Sequence, residues 1–125
     1  PSAIKGAKSQ TPDLITNAIF RIGNFLDEEP LETFDFVFEH TFFCAIDPSR
    51  RTDYLQAVLR HLKPNGQLLA VHYILPKDEE GPPFGTDKEE ILHLFSPHLK
   101  LIGDWIPRSF PHRKDLEHMF LWRRL

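Results

Sequence analysis

Apolar residues recur along this chain at two spacings, and the spacing changes wherever turn-forming residues intervene. Phe34, Phe36 and Phe38 stand at every second position with Val37 between them, so residues 34–38 are predicted to form a strand with three rings on one face. Asp47-Pro48 supplies a capping carboxylate and a proline suited to the first helical position. Tyr54, Leu55, Val58, Leu59 and Leu62 then follow at helical spacing. Lys63-Pro64-Asn65-Gly66 is expected to stop that helix and turn the chain. In residues 67–73, Leu68, Leu69, Ala70 and Val71 are consecutive, a strand apolar on both faces, as in parallel sheets covered by helices. Thr86 with Glu89 has the form of a capping box, opening a helix that carries Ile91, Leu92, Leu94 and Phe95. Residues 99–105 and 117–122 are the last strand candidates, separated by a loop containing proline and arginine.

Upstream of residue 34 the pattern is weaker. Residues 1–9 read as a short helix with Pro1 at a first-turn position and Ile4 its only large apolar residue. Residues 18–22 read as a short apolar strand closed by Gly23-Asn24, and Asp27, Glu28, Glu29 and Glu32 as an acidic surface loop. The alternation of strands and helices predicts an α/β fold ending in an antiparallel pair.

At 125 residues and 41% hydrophobic, the chain can bury one core and reads as a single domain over residues 1–125. A net charge of −3 and a pI near 6.2 give no reason to expect nucleic acid or an anionic membrane as partner. No apolar run approaches the roughly 20 residues needed to span a bilayer, and no stretch has the signal-peptide pattern. The single cysteine, Cys44, fits a reducing cytoplasm, which is the expected location. Eleven phenylalanines against two tyrosines suggest a core, or a pocket, built from large apolar rings.

The segment after the strand at 67–73 carries the most specific signal. An acidic hinge, Lys77-Asp78-Glu79-Glu80, leads into Gly81-Pro82-Pro83-Phe84. Adjacent prolines fix their own φ and cannot donate to a sheet ladder. Ligands of open α/β sheets bind at the carboxyl ends of the strands. A stiff, aromatic-tipped lid is therefore expected over a small-molecule site.

These residues resemble a known family. Phe34-Asp35-Phe36-Val37-Phe38-Glu39-His40-Thr41-Phe42-Phe43-Cys44-Ala45-Ile46 is similar to the fourth-strand motif of the thiopurine methyltransferase-like family, which includes plant halide and thiol methyltransferases. Gly81-Pro82-Pro83-Phe84 also resembles that family, and Leu62-Lys63-Pro64-Asn65-Gly66 resembles Rossmann-type methyltransferases broadly. The resemblance implies a Rossmann-like class I fold. The implied reaction is methyl transfer from S-adenosylmethionine to a small soft nucleophile: a thiol, sulfide, thiocyanate, halide or thiopurine.

The chain departs from the family in lacking a Gly-rich turn after a first strand and an acidic residue ending a second. Those features bring backbone to the ligand and bind its ribose. Residues 1–8 resemble the helix that follows the second strand, so the resemblance covers the C-terminal two-thirds of such a domain. The strand at 18–22 would then have no neighbour, while those at 34, 67, 117 and 99 still form a sheet. A piece of a longer enzyme is the favoured reading. The alternative is a non-catalytic remnant acting as a binding or pairing module.

The resemblance also assigns roles. Asn24 and Phe25 would contact adenine, although Gly23-Asn24 is also an ordinary turn. Glu39, His40 and Thr41 would contact the methionine part of the cofactor, with His40 standing where many relatives carry arginine. Tyr73 would border the acceptor and orient it, and Phe42, Pro82, Pro83 and Phe84 would wall the acceptor pocket. At least one of Phe42 and Phe43 belongs to the core. Cys44 has no basic neighbour in sequence and reads as an inert thiol. His40 and His72 have no ligand spacing, so no metal is expected. His112-Arg113-Lys114 reads as a solvated loop with the option of attracting an anionic acceptor. The oligomeric state is not legible.

Overall fold

The computed structural model describes residues 2–12, 17–77 and 80–125. Pro1, and Asp78-Glu79 of the acidic hinge, lie outside the described residues. The elements are α1 (Ser2–Gln10), β1 (Phe34–His40), α2 (Arg51–His61), β2 (Leu62–Tyr73), α3 (Lys88–Phe95), β3 (Leu99–Trp105) and β4 (Glu117–Arg124). The strands form one sheet in the order β1-β2-β4-β3. β1 runs parallel to β2, and β4 lies antiparallel between β2 and β3. That order matches the one expected for strands starting at 34, 67, 117 and 99.

The core lies on one face of this sheet. Leu68 and Ala70 of β2 pair with Trp122 and Phe120 of β4, and all four side chains are buried. Tyr54, Leu55 and Val58 of α2 and Ile91 and Phe95 of α3 pack onto them. The Phe95 ring stands 5.4 Å from Trp122 and 6.0 Å from Tyr54, so both helices share that face. The start of α2 follows its sequence signal: Asp47 accepts from the Ser49 amide at 2.9 Å, and a short 3₁₀ turn containing Pro48 leads into the helix.

Four expectations are corrected. Residues 18–22 form no strand, and Ile19 and Ile22 are 85% and 67% exposed. An apolar run becomes a strand only with a hydrogen-bonding neighbour, and the outer edge of β1 is unpaired among the described residues. Lys63-Pro64-Asn65-Gly66 does not separate helix from strand but is taken into β2 as a bulge. Phe34 pairs with Leu62 and Phe36 with Gln67, so Asp35 stands opposite the extra residues. The α3 cap sits one residue later than Thr86: Asp87 accepts from the Glu90 amide at 2.8 Å, while Thr86 donates to the Glu90 carboxylate. The helices α2 and α3 cover β2 on one face; on the other, Phe36 and Phe38 of neighbouring β1 are 49% and 57% exposed.

Candidate functional site

The carboxyl end of β1 sends consecutive side chains to opposite faces, as the strand period requires. Glu39 pairs in register with Ala70 and so points to the core side. Its two oxygens accept from the Tyr54 hydroxyl at 2.9 Å and the Phe42 amide at 2.9 Å. Burial pushes this carboxyl up to about 7, against the lowering effect of those hydrogen bonds. His72 Nδ1 lies 3.6 Å from Glu39, but burial drives His72 down to about 3, so it stays neutral and offers no counter-charge. Thr41 takes the left-handed conformation at φ 60° and donates its amide to Val71, ending the strand and turning Phe42 back onto Glu39.

His40 points the other way. Its Nε2 lies 2.9 Å from Oε2 of Glu117, the first residue of β4. The Glu117 side chain is 4% exposed and the His40 side chain 42%.

Two cavities meet at this histidine. One, of about 290 Å³, is lined by Phe25, Val37, Phe38, Glu39, His40 and Phe42 and opens along the free edge of β1. The other, of about 330 Å³, is lined by His40, Glu117, Arg108, Arg113, Ser109 and Phe110, with Pro111. The first is aromatic with a buried carboxyl; the second is cationic.

The residues singled out from sequence divide between these surroundings. Phe25, Glu39, His40 and Phe42 come together around the first cavity. Asn24 does not line it, because its side chain accepts from Leu26 and donates to Asp27 within its own turn. Thr41 lines neither cavity and acts through its backbone. Tyr73 lines neither cavity; it is half-buried beneath Arg113, which lines the second and whose guanidinium is 5.7 Å from the tyrosine ring. Pro82, Pro83 and Phe84 line neither cavity. Their loop is tethered instead: Phe84 donates its amide to the Cys44 carbonyl at 2.7 Å, and buried Arg51 donates to the Gly85 carbonyl at 3.0 Å.

Phe43 is fully buried against Tyr54 and His72. Burial pushes the Cys44 thiol up to about 11, which keeps it protonated and unreactive. Among the described residues no group of three or more His, Cys, Asp or Glu side chains is placed to hold a metal. Sequence reasoning missed Arg108, Phe110 and Glu117. Glu117 was visible only as the start of a strand, and its pairing with His40 depends on a register that spans the sheet.

Residues 4–104 match the thiopurine S-methyltransferase family. The chain belongs to that family. Among relatives of this thiopurine S-methyltransferase family member, thiocyanate methyltransferase 1 of Arabidopsis thaliana is 31% identical over 98 residues, covering 77% of this chain and 43% of that protein. Probable thiol methyltransferase 2 of the same plant is 34% identical over 105 residues, covering 81% and 46%. Thiopurine S-methyltransferase of Vibrio vulnificus is 35% identical over 68 residues, covering 54% and 31%. The chain therefore spans less than half the length of these curated relatives.

Solved structures share the fold at low identity. A SAM-dependent methyltransferase from Methanosarcina mazei superposes with a TM-score of 0.77 at 16% identity, covering 99% of this chain and 78% of that one. The N-methyltransferase NodS of Bradyrhizobium japonicum, in complex with S-adenosyl-L-homocysteine, gives 0.62 at 12% identity, covering 82% and 52%. The sheet is thus that of Rossmann-like class I methyltransferases. No helix among the described residues is long and apolar enough to cross a membrane.

Proposed function

We propose that this chain forms the acceptor-side portion of an S-adenosylmethionine-dependent methyltransferase acting on a small soft nucleophile, namely a thiol, sulfide, thiocyanate, halide or thiopurine. The observation that carries the reading is the meeting of an aromatic, acidic cavity and a cationic one at His40, in a chain of this family.

The residues present fit part of the cofactor. Phe25 and Phe42 offer ring faces for a flat base. Glu39, a desolvated carboxyl with no cation beside it, suits the positively charged methionine end. The ribose finds no acid at the end of a preceding strand within these 125 residues. When bound, S-adenosylmethionine supplies a methyl group already activated by its sulfonium charge. Arg108 and Arg113 draw an anionic acceptor into the adjoining cavity, and the Tyr73 hydroxyl orients it. The loop of Pro82, Pro83 and Phe84 is pinned to Cys44 and Arg51 beside the strand ends, outside both cavities. Holding two reactants in line is the main contribution such a site makes. A cytoplasmic location belongs to the same reading, since Cys44 is a buried free thiol.

The test is to supply the protein that carries this chain with S-adenosylmethionine and iodide, thiocyanate or an alkyl thiol, and to measure methylated product in the headspace. Product from at least one of these acceptors is expected. Tight cofactor binding with no methylation of any of them would overturn the assignment.

A further inference from the structure

We propose that His40, held by the buried Glu117 carboxylate, is the base that takes the proton from a neutral thiol acceptor; this rests on the methyl-transfer reading above. His40 is the residue common to both cavities, so its ring stands where cofactor and acceptor spaces meet. Glu117 is buried in the sheet, and its Oε2 finds no other donor among the described residues. The imidazole N–H is off the line to that oxygen, but the 2.9 Å separation is that of a charge-assisted hydrogen bond, and the proposed role requires the ring to turn into it.

That partner fixes the tautomer. With the proton on Nε2, Nδ1 carries the free lone pair. The nearest hydroxyl, Thr41 Oγ1, is 3.5 Å from Nδ1 and donates instead to the His40 carbonyl at 2.7 Å. Nδ1 is thus left uncapped on a half-exposed ring.

The other titratable groups here are committed. Both oxygens of Glu39 already accept, from Tyr54 and Phe42. His72 is fully buried, and the Cys44 thiol is buried behind Tyr73.

In the step proposed, the thiol S–H bond breaks, its proton passes to His40 Nδ1, and the electron pair stays on sulfur. Glu117 stabilises the imidazolium, while Arg108 and Arg113 face the thiolate from the loop between β3 and β4. That sulfur pair forms the new S–CH₃ bond as the methyl's bond to the sulfonium sulfur breaks, its electrons leaving with that sulfur. The products are a methyl thioether and a neutral cofactor thioether, and His40 returns its proton to water. Iodide and thiocyanate arrive as anions and need no base.

This difference supplies the test. Using the protein that carries this chain, parent and H40Q are assayed at pH 7 with an alkyl thiol and with iodide. H40Q is expected to lower turnover of the thiol on the order of a hundredfold more than it lowers turnover of iodide, the usual worth of a positioned base. A cooperative urea transition at the parent's midpoint reports that H40Q has folded. Equal losses on both acceptors, no loss on either, or a parent that methylates iodide but never thiols would each overturn the proposal. A parent inactive on every acceptor, with cofactor bound, would remove the methyl-transfer reading and this proposal together. Independently of turnover, ¹⁵N spectra of the parent should show the His40 proton on Nε2, and a proton on Nδ1 would overturn it.

Discussion

Glu39 shows how one side chain can be readable in place and unreadable in state. Its place at the end of β1 follows from the alternation of Phe34, Phe36 and Phe38. Its carboxyl is raised to about 7 by burial, against the lowering effect of the Phe42 amide and of the Tyr54 hydroxyl, which reaches it from the adjacent helix. A carboxyl raised from 4.5 to about 7 holds its proton better in the folded state. Its stabilising contribution is complete below pH 4.5 and is lost as pH climbs through 7. E39Q fixes a neutral group there. Urea titrations of parent and variant should therefore diverge in favour of glutamine by up to about 3 kcal/mol between pH 4.5 and pH 8; parallel pH profiles would mean that the carboxylate is already ionised in the fold.

Tyr73 is the second case at this scale. It faces Arg113 rather than the aromatic cavity, so Y73F should slow transfer to the acceptor while cofactor affinity holds. The loss of one hydrogen bond to a charged nucleophile is worth about 1.5–3 kcal/mol, or roughly tenfold to a hundredfold in turnover. Equal losses in affinity and turnover, measured by calorimetry and kinetics, would count against it.

Among the elements, those with strong periodicity were legible and those that needed a partner were not. The helix after Asp47 and the strands at 34, 67, 99 and 117 could be placed from local pattern, and the family resemblance supplied their order in the sheet. Residues 18–22 have strand-like composition, yet a strand is a property of a pair, and no local pattern reveals a missing neighbour. The α3 cap moved because Thr86 and Asp87 both have a glutamate three residues on, and the carboxylate took the amide. The β2 bulge is where glycine is required: a Cβ on Gly66 would lie 2.8 Å from the Lys63 carbonyl oxygen and 3.1 Å from that of Phe34. G66A should cost about 1–3 kcal/mol, the usual penalty of overpacking, read as a lowered urea midpoint. An unchanged midpoint would show that the bulge opens freely.

Among the described residues of the whole molecule, the two helices that pack on the sheet, α2 and α3, lie on one face of it. Phe36 and Phe38 face outward on a strand whose far edge is unpaired among the described residues. The aromatic cavity is lined by residues of that strand with Phe25 and Phe42. The 125-residue chain alone is therefore expected not to bind S-adenosylmethionine at micromolar concentration in titration calorimetry, and micromolar binding would mean that the ribose is held by groups unlike those inferred from the family. His40 and Glu117, 77 residues apart in sequence, could not be joined from sequence because their meeting requires the complete sheet.

The position of β4 also imposes an order in time. Among the described residues β3 pairs with β4 alone, and β4 lies between β2 and β3. A growing chain emerging from the ribosome can join β1 to β2 early, but β3 must wait unpaired until β4 has been made. Glu117 arrives with that last strand, so His40 acquires its carboxylate only at this stage. Contacts between distant parts of a chain form slowly and leave apolar surface uncovered meanwhile. During synthesis, then, the site's two halves appear in sequence, and the half that carries Glu117 and the two arginines is the younger.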